Sequence, residues 1–175
     1  MTMKDALLLV DVINDFRHED GEKLLASFRE RHGALVRALV EARARGIPVV
    51  YANDNFGVWD GDGPGLVERA IAGGAGEFVR QIAPTEEDSF VVKPRYSAFD
   101  HTPLVLILRE LEIERILLAG AATEMCVVQT AIDAREEGFK VSILADACVT
   151  ADPEIEELAL RYAQEIVGAR VEPGE

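Results

Sequence analysis

The segment Ile116-Leu117-Leu118-Ala119-Gly120-Ala121-Ala122-Thr123-Glu124-Met125-Cys126 decides the reading of this chain. Its first four residues form an apolar run too short for a helix and suited to a strand buried on both faces. A Gly-Ala-Ala turn follows. Thr123 then reads as a helix N-cap, because its hydroxyl can accept a hydrogen bond from a free backbone N–H. Cys126 falls in the first helical turn, near unpaired N–H groups and the positive end of the helix dipole. A thiol there is expected to ionise more easily, and the thiolate is the nucleophilic form. Most cysteines are small buried hydrophobes, so Cys126 needs partners before it carries a function.

Working outward, the same strand-to-helix alternation runs along the chain. Residues 6–10, 47–51, 89–92, 140–144 and 169–171 read as further strands. Helical spacing covers 28–45, 66–72, 102–111, 123–137 and 152–167. Gly46 and Gly138 stop two of these helices. Pro103 and Pro153 suit first turns, and Asp152 suits a cap. Residues 53–65, rich in Gly, Asp and Asn, read as a long loop. Alternating strands and helices predict an α/β fold, a parallel sheet covered by helices on both faces with right-handed crossovers. No repeat, linker or low-complexity tract divides the chain, so a single domain over 1–175 is expected.

Composition narrows the partners. Eighteen basic and 32 acidic residues give a net charge of −14, and hydrophobic residues make up 49%. So acidic a chain is a poor ligand for nucleic acid, which needs a basic face, or for anionic membranes. No apolar stretch approaches the roughly 20 residues that span a bilayer. Residues 1–5 lack the apolar core and cleavage site of a secretory signal. The two cysteines, Cys126 and Cys148, have no metal-type spacing. A cytoplasmic protein with reduced thiols is expected.

In open α/β sheets, sites lie at the carboxyl ends of the strands. Asp11 follows the first strand, and Asn53 and Asp54 the second. Lys93 follows the third, the turn to Cys126 the fourth, and Asp146 the fifth. A carboxylate, an ammonium and a thiol can therefore converge. Buried Asp11 can accept the thiol proton, and Lys93 can stabilise a thiolate and hold Asp11. Backbone N–H groups before Cys126 are available to a developing oxyanion. Taken singly, Asp11 reads as a turn cap, Lys93 as a solvated side chain and Cys148 as packing. Their joint occurrence at successive strand ends favours catalysis.

Three blocks carry a resemblance: residues 7–16 (LLLVDVINDF), 91–99 (VVKPRYSAF) and 120–127 (GAATEMCV). Together they resemble the signature of the isochorismatase-like cysteine hydrolases, a superfamily that includes nicotinamidases and N-carbamoylsarcosine amidases. The resemblance covers nearly the whole chain. It implies a Rossmann-like three-layer sandwich with a six-stranded, mostly parallel sheet. It also implies a triad of Asp11 as general base, Lys93 as its charged partner and Cys126 as nucleophile. A cis peptide between Ala121 and Ala122 is implied, with the N–H groups of Ala122 and Cys126 as oxyanion hole. Phe16 matches an aromatic that lines the family's substrate pocket, and a homo-oligomer, a dimer or larger, is implied.

The chain departs from the family pattern in two places. Many nicotinamidases bind a metal through an Asp-x-His pair after the second strand. Residues 53–60 here (NDNFGVWD) contain no histidine, and His18, His32 and His101 do not restore the pattern. No metal and no cofactor are expected. Ile13 stands where many members carry Gln.

The expected activity is hydrolysis of a C–N bond in a small non-peptide amide through a thioester acyl-enzyme. Asn53, Trp59 and Tyr96 are candidate substrate contacts, and Arg95 and Tyr96 are candidates for recognising a carboxylate or carbonyl. Two alternatives stay open: a catalytically weak binding protein on the same fold, and cleavage of a vinyl ether of the isochorismatase type. Thiol reactivity discriminates the first. Activity that survives loss of the thiol marks the second.

Overall fold

The computed structural model describes residues 3–58 and 62–172. Six strands form one sheet: β1 (Asp5–Val10), β2 (Val49–Asp54), β3 (Ser89–Lys93), β4 (Arg115–Ala121), β5 (Lys140–Val149) and β6 (Arg170–Glu172). The order is β3-β2-β1-β4-β5-β6, and every pairing is parallel, so the expected mostly parallel sheet is parallel throughout. Among the described residues six α-helices connect them: α1 (Gly21–Ala44), α2 (Gly63–Ile71), α3 (Gly76–Gln81), α4 (Leu104–Glu110), α5 (Val128–Glu136) and α6 (Pro153–Tyr162). Among the described residues no helix is long and apolar enough to cross a membrane.

The period-2 geometry of β1 divides the core. Ala6, Leu8 and Val10 face one side and pack with α4 and α5 through Leu104, Leu108, Ala131 and Ala134. Leu7 and Leu9 face the other and pack with α1 through Phe28, Leu35 and Leu39. A strand buried on both faces must be apolar at every position, which is why 6–10 is a continuous run.

Several element ends differ from the sequence reading. α1 starts seven residues before the periodic stretch at 28, because Gly21 and Leu24 are also buried on its inner side. β5 runs to Val149 instead of 144, through a register irregularity against Leu118 and Gly120 of β4. α3 is a short helix in a stretch, after 66–72, to which the helical spacing assigned no element. The helix expected from Thr123 begins as a π-helical turn, Thr123–Val127, and becomes α-helical at Val128. At α6 the cap is as read: Asp152 Oδ1 accepts from the N–H groups of Glu154 and Ile155, behind Pro153.

The chain leaves β1 toward β2 and β3 on one side, then returns to β4 on the other. The loops after β1 and β4 therefore diverge and leave a crevice at their carboxyl ends. Gly120 allows the two strands to close tightly beneath it. Its φ is +126°, and a Cβ there would lie 2.0 Å from the carbonyl oxygen of Val10.

Candidate active site

Asp11 is the first residue beyond β1. Its N–H donates to the Ala52 carbonyl (3.0 Å), and its φ is +51°. The side chain turns into the crevice, where Oδ1 accepts from the N–H of Asp54 (2.6 Å) and Oδ2 lies 2.9 Å from Lys93 Nζ. Lys93 is the last residue of β3 and is fully buried. Its ammonium has three donors. They serve Asp11, the Arg95 carbonyl (2.8 Å) and the Cys126 sulfur (3.5 Å). This complete partnering explains how a lysine can be buried beside the core.

Cys126 lies in the π-helical turn after β4, with its sulfur 3.5 Å from Lys93 Nζ. The peptide joining Ala121 to Ala122 is cis. The Ala122 carbonyl accepts from the N–H groups of Met125 and Val127.

Burial and the neighbouring Asp11 charge push the Cys126 thiol up to about 12, against the opposing pull of Lys93. The expectation of an easily ionised thiol is therefore corrected: desolvation and a carboxylate at close range outweigh the helix terminus. Burial also raises the Asp11 carboxyl from its usual value, opposed by Lys93. Burial alone would lower Lys93, but the attraction of Asp11 and the sulfur carries it upward. The resting site thus holds a protonated thiol beside a carboxyl of raised proton affinity.

Thr123 is not a cap. Its hydroxyl donates to Glu156 Oε1 (2.7 Å), with the Val149 carbonyl a second, longer acceptor at 3.2 Å. Glu156, buried in α6, is gripped by both Nη atoms of Arg31 from α1, at 2.6 Å each. These contacts moor the start of the Cys126 turn to two helices.

A cavity of about 380 Å³ opens above this cluster. Asp11, Ala121, Ala122 and Cys126 line it, together with Asn14, His18, Asp20, Leu24, Asp54, Phe56, Tyr96, Glu124, Met125 and Ala151. Tyr96 stands at the mouth, 60% exposed. Phe16 does not line it: the ring is buried against Phe28, with centroids 5.1 Å apart. Asn53 is also withdrawn. Its amide accepts from the N–H of Ile13 and donates to the Ile13 and Asp54 carbonyls, fastening the loop after β1. Trp59 lies outside the described residues. Asp146 sits within β5, exposed and away from the cavity. Arg95 lines a neighbouring depression and faces Asp100 (3.5 Å). Cys148 is a core residue.

His18, Asp20 and Glu124 were missed as lining residues. Glu124 was open to inference, because it shares the short turn with Cys126. His18 and Asp20 depend on the path of the loop after Asp11, which periodicity does not report.

The described residues at the end of β2 and just beyond it, 54–58, do not fit a metal ion. Asp54 Oδ1 and Asn55 Oδ1 accept from the N–H groups two residues on, Phe56 and Gly57, and no histidine stands nearby in sequence. Among the described residues no cluster of three or more His, Cys, Asp or Glu suits a metal.

A parallel sheet in this order holds a carboxylate, an ammonium and a thiol together at the carboxyl ends of its strands. The chain belongs to the isochorismatase family: the Isochorismatase domain matches residues 5–172. It is 31% identical over 166 residues to the isochorismatase family protein YaaI of Bacillus subtilis, covering 95% of this chain and 92% of that protein. It is 30% identical over 191 residues to the ureidoacrylate amidohydrolase RutB of Yersinia enterocolitica, covering 92% and 82%. The crystal structure of nicotinamidase PncA from Bacillus subtilis superposes with a TM-score of 0.78 at 30% identity, covering 97% of this chain and 99% of that one.

Proposed function

We propose that this protein hydrolyses a C–N bond of a small non-peptide amide through Asp11, Lys93 and Cys126. The observation that carries the reading is the position of Lys93 Nζ, 2.9 Å from Asp11 and 3.5 Å from the Cys126 sulfur, beneath a cavity of small-molecule size. The similarity to the amidohydrolase RutB and the nicotinamidase PncA supports the reaction class.

Asp11 takes the thiol proton as sulfur attacks the substrate carbonyl carbon. Lys93 offsets the charge that passes between Asp11 and sulfur. The N–H groups of Ala122 and Cys126 receive the oxyanion, a role in which one good donor contributes about 3–4 kcal/mol. The C–N bond breaks, and the amine leaves with the proton held by Asp11. Water then attacks the thioester. Asp11 accepts its proton, the acid product departs and the thiol is restored. The raised proton affinity of Asp11 supports this exchange, because a base must hold the proton between the two half-reactions.

The reading extends to Tyr96 as a substrate contact at the mouth, to a reducing compartment that keeps the thiol free, and to a homo-oligomer. Hydrolysis of small primary amides, followed as ammonia release, is the test. Loss of activity in a folded Cys126→Ala variant is expected. Unchanged turnover there would refute the mechanism and return the vinyl ether reading.

A further inference from the structure

The charge of the cavity wall goes beyond what hydrolysis requires. Among the described residues four carboxylates face the cavity, from Asp11, Asp20, Asp54 and Glu124, and no lysine or arginine lines it. The one ammonium beneath the floor, Lys93, has all three donors engaged. Two of the carboxylates are held in place by groups that carry no charge. Glu124 accepts from the Thr150 hydroxyl (2.9 Å) and the Ala151 N–H (3.1 Å). Asp54 accepts from the Phe56 N–H (2.6 Å). Neither has an ion-pair partner among the described residues, whereas Asp20 lies 3.6 Å from Lys23 on the surface. Arg95 is turned to Asp100 in the next depression, and His18 is the one imidazole among the described residues of the wall. Leu24, Phe56 and Met125 supply apolar wall between these groups.

A concave site lined by one sign of charge concentrates ligands of the opposite sign and repels its own. Resting on the amidase reading above, we infer that the substrate carries a cationic group, an amine or amidine, near the scissile carbonyl and no carboxylate. Glu124 and Asp54 are its specificity determinants. The carbonyl sits over Cys126, and the cation reaches the rim where these two carboxylates stand.

Charged thiol reagents of equal size test this without turnover. The Cys126 thiolate attacks the sulfenyl sulfur of a methanethiosulfonate, a disulfide forms and methanesulfinate leaves. Rates at Cys126 are read by mass spectrometry for the 2-trimethylammonioethyl and 2-sulfonatoethyl reagents, each normalised to its rate with free 2-mercaptoethanol. Both reagents meet the same thiolate, so its proton affinity cancels from the ratio. The expected preference for the cation is at least about tenfold. It should shrink with added salt and narrow in Glu124→Gln and Asp54→Asn. An equal or inverted ratio, or no labelling by either reagent, overturns the inference. Hydrolysis that persists in Cys126→Ala overturns the amidase reading and leaves the charge ratio standing. An inverted ratio with Cys126-dependent hydrolysis overturns the charge inference alone.

Discussion

Lys93 Nζ and Asp11 Oδ2 form a 2.9 Å ion pair in which the lysine is fully buried and the aspartate nearly so. Removing one member leaves the other charged and desolvated. Lys93→Met is expected to lose about 3–5 kcal/mol of stability by urea denaturation. The double variant Lys93→Met, Asp11→Asn should recover part of it, because no unpaired charge then remains.

Asp11→Asn separates thiol reactivity from turnover. The Asp11 charge holds the Cys126 thiol up, while Lys93 pulls it down. Without the carboxylate, the thiol should titrate below about 12, visible as iodoacetamide labelling that begins at lower pH. Amide hydrolysis should fall about 10²–10⁴-fold for want of the general base. Faster labelling with slower catalysis is the signature; slower labelling contradicts the electrostatics.

The Thr123–Glu156–Arg31 chain moors the turn that carries Cys126. Glu156→Gln keeps an acceptor for Thr123 and removes the charge that Arg31 pairs with. A loss of about 2–3 kcal/mol is expected, or roughly 5–10 °C in Tm. If the mooring positions the sulfur, kcat falls while KM holds. A purely structural role predicts lost stability with unchanged kcat below the melting range.

Alkaline pH should destabilise the protein through both thiols. In the folded chain Cys126 and Cys148 are pushed up to about 12, chiefly by burial. In the unfolded chain they titrate near 8.5. The folded state therefore keeps protons that the unfolded state releases. This stabilisation is fully present below about pH 8.5 and falls as pH rises toward 12. Cys148→Ala should flatten the decline above pH 9 by up to about 1.4 kcal/mol per pH unit. Denaturation midpoints at several pH values check the slope.

Gly120→Ala tests the close approach of β1 and β4. The added Cβ meets the Val10 carbonyl at 2.0 Å, in a backbone conformation that side chains rarely adopt. A loss of more than about 3 kcal/mol or failure to fold is expected, judged by circular dichroism and soluble yield.

The sequence alone determined the strand-and-helix alternation and the polar residues that end the strands. Apolar runs such as 6–10 and 116–119 report burial on both faces directly. Asp152, Pro153, Gly46 and Gly138 mark boundaries by local chemistry. Asp11, Lys93 and Cys126 were legible as strand-end positions, because parallel strands bring those ends to one edge. The tertiary structure decided what each side chain meets. Asn53 and Phe16 share the right neighbourhood in sequence, yet one fastens a loop and the other fills the core. The state of the Cys126 thiol was misjudged for the same reason: a helix terminus is visible in sequence, whereas burial beside Asp11 is a property of three segments meeting. The mooring of Thr123 and the acidic wall of the cavity likewise unite residues more than 30 positions apart. Spacing along the chain reports backbone geometry, but charge, dielectric and contact depend on distances that only the folded chain sets.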